Sequence, residues 1–235
     1  MKLYEIINTE YKTKDIDGEF DLDQMSINKK AAMKTVPPYG ERGGNGYYAT
    51  VDVDANTPMD AKKTYHEPTA RVEGDAYYMY IKTVTNSGLA QSNPYFPRVY
   101  KVEVERDSAG RKKPSFEMET LMTATEFDSE ALYNMGKKMF NKFDDMLPYG
   151  RDSNSSQLNH AIVNAMKYVI MNDSYADVKD KKLIQALRVI TDIIDESIDS
   201  FHLDLHAGNI MLRGTKNGPQ VVLTDPVADT QQKAT

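Results

Sequence analysis

Apolar residues recur at helical spacing through the second half of the chain: Leu132, Met135, Met139, Phe140 and Phe143, then Leu158, Ile162, Met166, Val169 and Ile170, then Leu183, Leu187, Ile190, Ile194 and Ile198. Residues three, four and seven apart share one helix face, so three amphipathic helices are expected, the third with the strongest pattern. The first half reads differently. Residues 1–48 are polar and irregular, and VPPYGERGGNG at 36–46 reads as turns and loop. YYATVDV at 47–53, DAYYMYIKTV at 75–84 and RVYKVEVE at 98–105 are rich in Tyr and Val, which predicts three strands of a small antiparallel sheet. PSFEMETLM, from residue 114, predicts a helix start that Ser115 caps. VVLTD at 221–225 predicts a short strand, joined to NIML at 209–212 through RGTKNGPQ, where Asn217-Gly218-Pro219 signals a hairpin turn. Strands, then helices, then a hairpin give an α+β protein: an irregular segment over 1–48, a β-rich part over 49–125 and a helical part over 126–235.

Composition narrows the function classes. At 235 residues the chain can build one sizeable core or two small lobes sharing a cleft. A net charge of −6 argues against nucleic acid as a direct ligand, because tracking phosphates needs a basic face. Zero cysteines exclude disulfides, thiolate metal sites and thiol nucleophiles, and suit a cytoplasmic protein. No stretch reads as a signal peptide or a membrane span, so no membrane partner is expected.

Two of the four histidines fall in FHLDLHAGNIML at 201–212. Asp204 is followed five positions later by Asn209, and the strand after the hairpin ends at Asp225, so two carboxylates and an amide are expected to converge at one edge of the hairpin. Oxygen ligands of this kind suit Mg²⁺, which takes one or two carboxylates together with phosphate oxygens and water. An aspartate near that metal, without ligating it, can accept the proton of an attacking hydroxyl. Individually each residue is ordinary turn chemistry; the joint spacing carries the signal. A zinc site on His202 and His206 is disfavoured, since Leu203 and Gly208 interrupt any common helix face.

His202-Leu203-Asp204, Asn209 and Asp225 resemble the catalytic loop and metal-binding aspartate of the protein-kinase-like fold. The surrounding Ser200-Phe201, His206-Ala207-Gly208-Asn209-Ile210-Met211 and Thr224-Asp225-Pro226-Val227 look like the early host-takeover serine/threonine kinases of T-odd short-tailed bacteriophages, over residues 181–229. The resemblance implies a minimal two-lobed kinase-like fold with a small antiparallel β N-lobe and a mainly helical C-lobe. Only ten residues follow Asp225, so most of the helices that usually follow the metal site are expected to be missing. It implies ATP and Mg²⁺ as cofactors, Asp204 as base, Asn209 and Asp225 as metal ligands, His202 as a loop brace, and host bacterial proteins as partners in the host cytoplasm. It also demands a phosphate-binding lysine, for which Lys101 is the candidate, with Val99 on the same strand face against adenine. Gly74 is the positional candidate for the phosphate-covering loop, while Gly43, Gly44 and Gly46 fit by composition. Glu119 is the expected partner of Lys101, with Glu117, Glu126 and Glu130 open. Two other readings stand beside this one. The Asp-Leu-His-x-Gly-Asn variant looks like aminoglycoside and choline kinases, which act on small hydroxylated molecules. The short C-terminal region fits a kinase-shaped inhibitor that binds a host protein.

Overall fold

A computed structural model describes residues 44–45, 49–53, 60–65, 74–106, 108–147, 150–197 and 200–230. The chain divides into two compact units; the main boundary passes between Thr120 and Leu121, and Asn93–Tyr95 belongs to the second unit. The α+β expectation holds, with small antiparallel sheets and several helices.

The first unit is built on a five-stranded antiparallel sheet of order β1-β2-β3-β5-β4, from β1 (Gly44–Asn45), β2 (Ala49–Val53), β3 (Asp60–Tyr65), β4 (Val99–Arg106) and β5 (Lys112–Glu119). Between β3 and β4 run α1 (Ala76–Asn86) and the short α2 (Leu89–Ser92). DAYYMYIKTV is therefore a helix and not a strand. Its Tyr and Val content favours a strand, but Tyr77, Tyr80, Ile81 and Val84 also fall at helical spacing and are all buried. Asp75 starts the helix, its carboxylate accepting the Tyr78 N–H at 2.8 Å. The tyrosines pack on Phe116 of β5: Tyr77 meets its ring edge-on at 5.3 Å between centroids, and Tyr78 lies at 6.2 Å.

PSFEMET is also the reverse of its expectation, forming strand β5 and not the start of a helix. Placed between β3 and β4, this strand buries Ser115, Phe116, Met118 and Glu119. Burial on the sheet outweighs the capping signal at Ser115.

The second unit carries α3 (Ser129–Met139), α4 (Ser155–Met171) and α5 (Lys181–Asp195), matching the three periodic runs. Phe140 and Phe143 lie beyond the end of α3, and Ile198 falls outside the described residues. Each start has its cap: Asp128 accepts from Ala131 N, Asn154 and Gln157 form a reciprocal box, and Asp180 accepts from Lys182 and Leu183 N. After the helices come β6 (Phe201–Leu203), β7 (Ile210–Thr215), β8 (Gly218–Leu223) and β9 (Val227–Asp229), paired antiparallel as β6 with β9 and β7 with β8. The β7–β8 hairpin is the expected one. Positive φ falls at Gly218 (+101°), whereas Lys216 and Asn217 keep negative φ, so the turn is not a primed type and its strain is taken up by the one residue without a β-carbon.

Gly136, inside α3, lets a ring come close. A β-carbon there would lie 2.2 Å from Cε1 of Phe143, itself fully buried beside Phe140 at 6.2 Å between ring centroids. Gly136→Ala should therefore destabilise the second unit by about 1–3 kcal/mol, even though alanine raises helix propensity by about 1 kcal/mol. Thermal unfolding followed by circular dichroism checks this; an unchanged or raised midpoint would show that Phe143 can move aside.

Candidate functional site

The segment 201–212 and the bend after β8 form one structure in the second unit. β6 feeds the loop 204–209 and β7 leaves it; β8 feeds the bend at 224–226 and β9 leaves it. Since β6 pairs with β9 and β7 with β8, the loop and the bend are drawn together at both ends. Asp204 N–H donates to the Pro226 carbonyl at 2.9 Å. The backbone carbonyl of Asn209 accepts the Thr224 hydroxyl at 2.8 Å, Thr224 N–H at 3.1 Å and Asp225 N–H at 3.4 Å. Leu205, within this loop, is fully buried.

Asn209 also holds Asp204. Its Nδ2 donates to the Asp204 carbonyl oxygen at 2.8 Å and to the carboxylate Oδ2 at 2.9 Å. Both partners are acceptors, so the amide orientation is determined and its Oδ1 is left for another partner. Asp204, Asn209 and Asp225 are thus brought together by side-chain contact for the first two and backbone contact for the third. Among the described residues, no group of three or more His, Asp or Glu side chains forms a metal cage. A Mg²⁺ ion taking one amide oxygen, one carboxylate and phosphate oxygens needs no such cage, and the Asn209 orientation fits that donor set.

The histidines divide. His206 accepts the Gly208 N–H on Nδ1 at 3.1 Å, and its Nε2 lies 3.7 Å from Asp204 Oδ2. The side-chain brace expected of His202 is not seen at Nδ1, which is buried without a hydrogen-bond partner among the described residues. That residue is held instead by its backbone, opposite Ala228 in the β6–β9 ladder.

The remaining expected residues lie in the first unit, and their settings differ from the sequence reading. A register shift between Val99 and Lys101 sets Val99 opposite Met118 but Lys101 opposite Glu117. Neighbours on β5 point to opposite faces, so Val99 and Lys101 do too. Val99 is fully buried on the Phe116 side of the sheet; Lys101 is on the other, where its Nζ meets Glu103 Oε1 at 2.5 Å. Lys62 joins the same carboxylate at 3.0 Å, and hydrogen bonds from Lys101 and then Lys62 lower the Glu103 pKa to about 2. Glu119 is on strand β5 and accepts the Arg98 N–H at 2.9 Å. Gly74 directly precedes the cap of helix α1, so it does not turn the chain between strands. Gly44 is in β1, paired with Val51 of β2, while Gly43 and Gly46 fall outside the described residues.

One cation escaped the sequence reading. Lys63 of β3 sits opposite Phe116, on the sheet face that α1 covers, with Nζ 3.3 Å from the centroid of the Tyr77 ring. The available signal was Ala61-Lys62-Lys63 on a strand ahead of a helix, hidden because neither the strand nor the helix was recognised. No family model matches the chain, and no curated protein is detectably similar to it.

Asn209→Asp tests the geometry without reference to function. It replaces two donated hydrogen bonds with a carboxylate facing Asp204, and should lower stability at neutral pH by about 1–3 kcal/mol. Protonating the new carboxylate relieves the repulsion, so the deficit should shrink as pH falls through the ordinary carboxylate range. A pH-independent deficit, read from denaturant titrations of both proteins, would rule out this contact.

Proposed function

We propose that the chain is an ATP- and Mg²⁺-dependent phosphotransferase of kinase-like fold that acts on serine or threonine hydroxyls of proteins. The observation carrying this reading is the joining of Asp204, Asn209 and Asp225 by the hydrogen bonds of one asparagine. Asp204 is the base: as the acceptor oxygen bonds to the γ-phosphorus and the bond to the β–γ bridging oxygen breaks, the hydroxyl proton passes to its carboxylate, leaving ADP. Asn209 holds that carboxylate through Nδ2, and Oδ1 of Asn209 with the carboxylate of Asp225 would hold Mg²⁺. When bound, the metal neutralises charge on the phosphate oxygens. Host bacterial proteins are the acceptors that the phage-kinase resemblance supplies.

The phosphate-binding lysine is reassigned from Lys101 to Lys63. In protein kinases that lysine stands on the third strand, ahead of a helix, within an Ala-x-Lys pattern. Ala61 and Lys63 on β3, the third strand among the described residues and ahead of α1, meet that description, whereas Lys101 is on an edge strand of the described sheet and engaged with Glu103. The chain departs from the kinase pattern in one respect: α1 contains no glutamate, and Tyr77 faces Lys63 instead. By the same logic the phosphate-covering loop is sought near Gly44 of β1, the strand paired antiparallel with β2, and not at Gly74.

Purified protein incubated with γ-labelled ATP and Mg²⁺, alone and with bacterial lysate, should transfer label to protein. Asp204→Asn should lower transfer by about 10²–10⁴-fold while nucleotide binding persists, and Asp225→Ala should remove the Mg²⁺ dependence of that binding. Lys63→Met should lower transfer by about 10²–10³-fold, and Lys101→Met should leave it near the wild-type rate. Transfer retained by Asp204→Asn would sink the assignment. Label found on sugars or alcohols alone would identify a small-molecule kinase. No label, together with a stoichiometric host complex that survives both aspartate substitutions, would identify a binding inhibitor.

A further inference from the structure

We propose that His206 is a positioning residue for Asp204, a role that rests on the phosphotransferase reading. Because Nδ1 accepts the Gly208 N–H, the neutral ring carries its proton on Nε2. That N–H lies 3.7 Å from Asp204 Oδ2, the oxygen already accepting Asn209 Nδ2 at 2.9 Å. The separation exceeds a formed hydrogen bond by less than about 1 Å.

Gly208 supplies a second, independent observation. A β-carbon at that position would lie 3.0 Å from His206 Cε1 and 3.2 Å from Nδ1. Glycine therefore lets the ring fold back along the loop. The ring is also half exposed, so burial of its surface does not account for the conformation. Asn209 donates to Oδ2 and His206 Nε2 faces the same oxygen at 3.7 Å; closing that second contact would restrain the carboxylate and leave Oδ1 for the acceptor hydroxyl. In the transfer step the proton goes to Oδ1 and the new P–O bond replaces the bond to ADP; His206 neither gains nor loses a proton.

Two isosteric substitutions separate the halves of this contact. Glutamine keeps an N–H donor near the position of Nε2, and asparagine keeps an acceptor near that of Nδ1. His206→Ala should lower kcat by about 10–100-fold with little change in KM for ATP. His206→Gln should recover most of that loss and His206→Asn should not. Equal rates for the Gln and Asn variants, or an unchanged kcat in His206→Ala, would overturn the proposal. A second measurement needs no activity: nitrogen-15 spectra of the full chain should show His206 protonated at Nε2, with that resonance shifted by Asp204→Asn. Protonation at Nδ1, or an unmoved resonance, would also overturn it. A wild type that transfers no phosphate to any acceptor would end the phosphotransferase reading, and the spectra would still decide the His206–Asp204 contact.

Discussion

Asn209 is hydrogen-bonded at both ends, and the second unit's polar geometry depends on it. Its side-chain amide ties the Asp204 backbone and carboxylate, while its carbonyl gathers Thr224 and Asp225. One residue thereby joins two segments that the chain reaches fifteen residues apart, with a complete hairpin between them. A leucine of similar size would satisfy none of these side-chain bonds and would leave the Asp204 carbonyl without its donor. The structural role uses Nδ2 and the backbone carbonyl, so the metal role proposed for Oδ1 would not compete with it.

In the first unit a single irregularity separates structural from exposed chemistry. The register shift after Val99 sends Val99 toward the aromatic layer and Lys101 to the opposite face. Without it, strict alternation would put both on one side, as the sequence suggests. The faces differ accordingly. One carries Phe116, Tyr77, Tyr78 and the ammonium of Lys63 over an aromatic ring; the other carries Lys62, Lys101 and Glu103 as an exposed ion cluster. Such exposed pairs contribute little to stability, but charges along β4 discourage strand addition at that sheet edge.

Legibility followed the range of the determining interactions. The helices α3, α4 and α5 were readable because an apolar stripe of ten or more residues and a local cap specify each one. The β7–β8 hairpin and the Asp204–Asn209–Asp225 spacing were readable for the same reason, being encoded within about two dozen residues. In the first unit the code is not local. Tyr77 and Tyr80 satisfy either a strand or a helix until Phe116, far along the chain, supplies the surface on which a helix packs. The sequence Asp60–Tyr65 has too few apolar residues to announce a strand, yet it pairs on both sides with β2 and β5. With those two elements misread, the settings expected for the lysine, glycine and glutamate candidates differ from those the structure shows. Backbone register, which no composition records, then set Lys101 and Val99 apart.

The segment Asn93–Tyr95 explains how a loop as polar as 204–209 can be held firmly. Asn93 Nδ2 donates to the Lys182 carbonyl at 2.8 Å, and the Tyr95 hydroxyl donates to Asp180 at 2.9 Å, so both grip the first turn of α5. Burial first, and the Asp180 carboxylate second, raise the Tyr95 pKa far above the usual phenol value, so this donor persists across the whole functional pH range. The same three residues grip the hairpin: Leu223 N–H donates to the Tyr95 carbonyl at 2.8 Å and Arg213 to the Pro94 carbonyl at 2.7 Å. The helix that precedes the loop and the hairpin that follows it are thus referred to one short stretch of backbone. Asp204 leaves β6 and Asn209 enters β7, so fixing α5 and the hairpin against that stretch fixes both ends of the loop. Within the loop so anchored, the Asn209 amide holds the Asp204 side chain at its carboxylate.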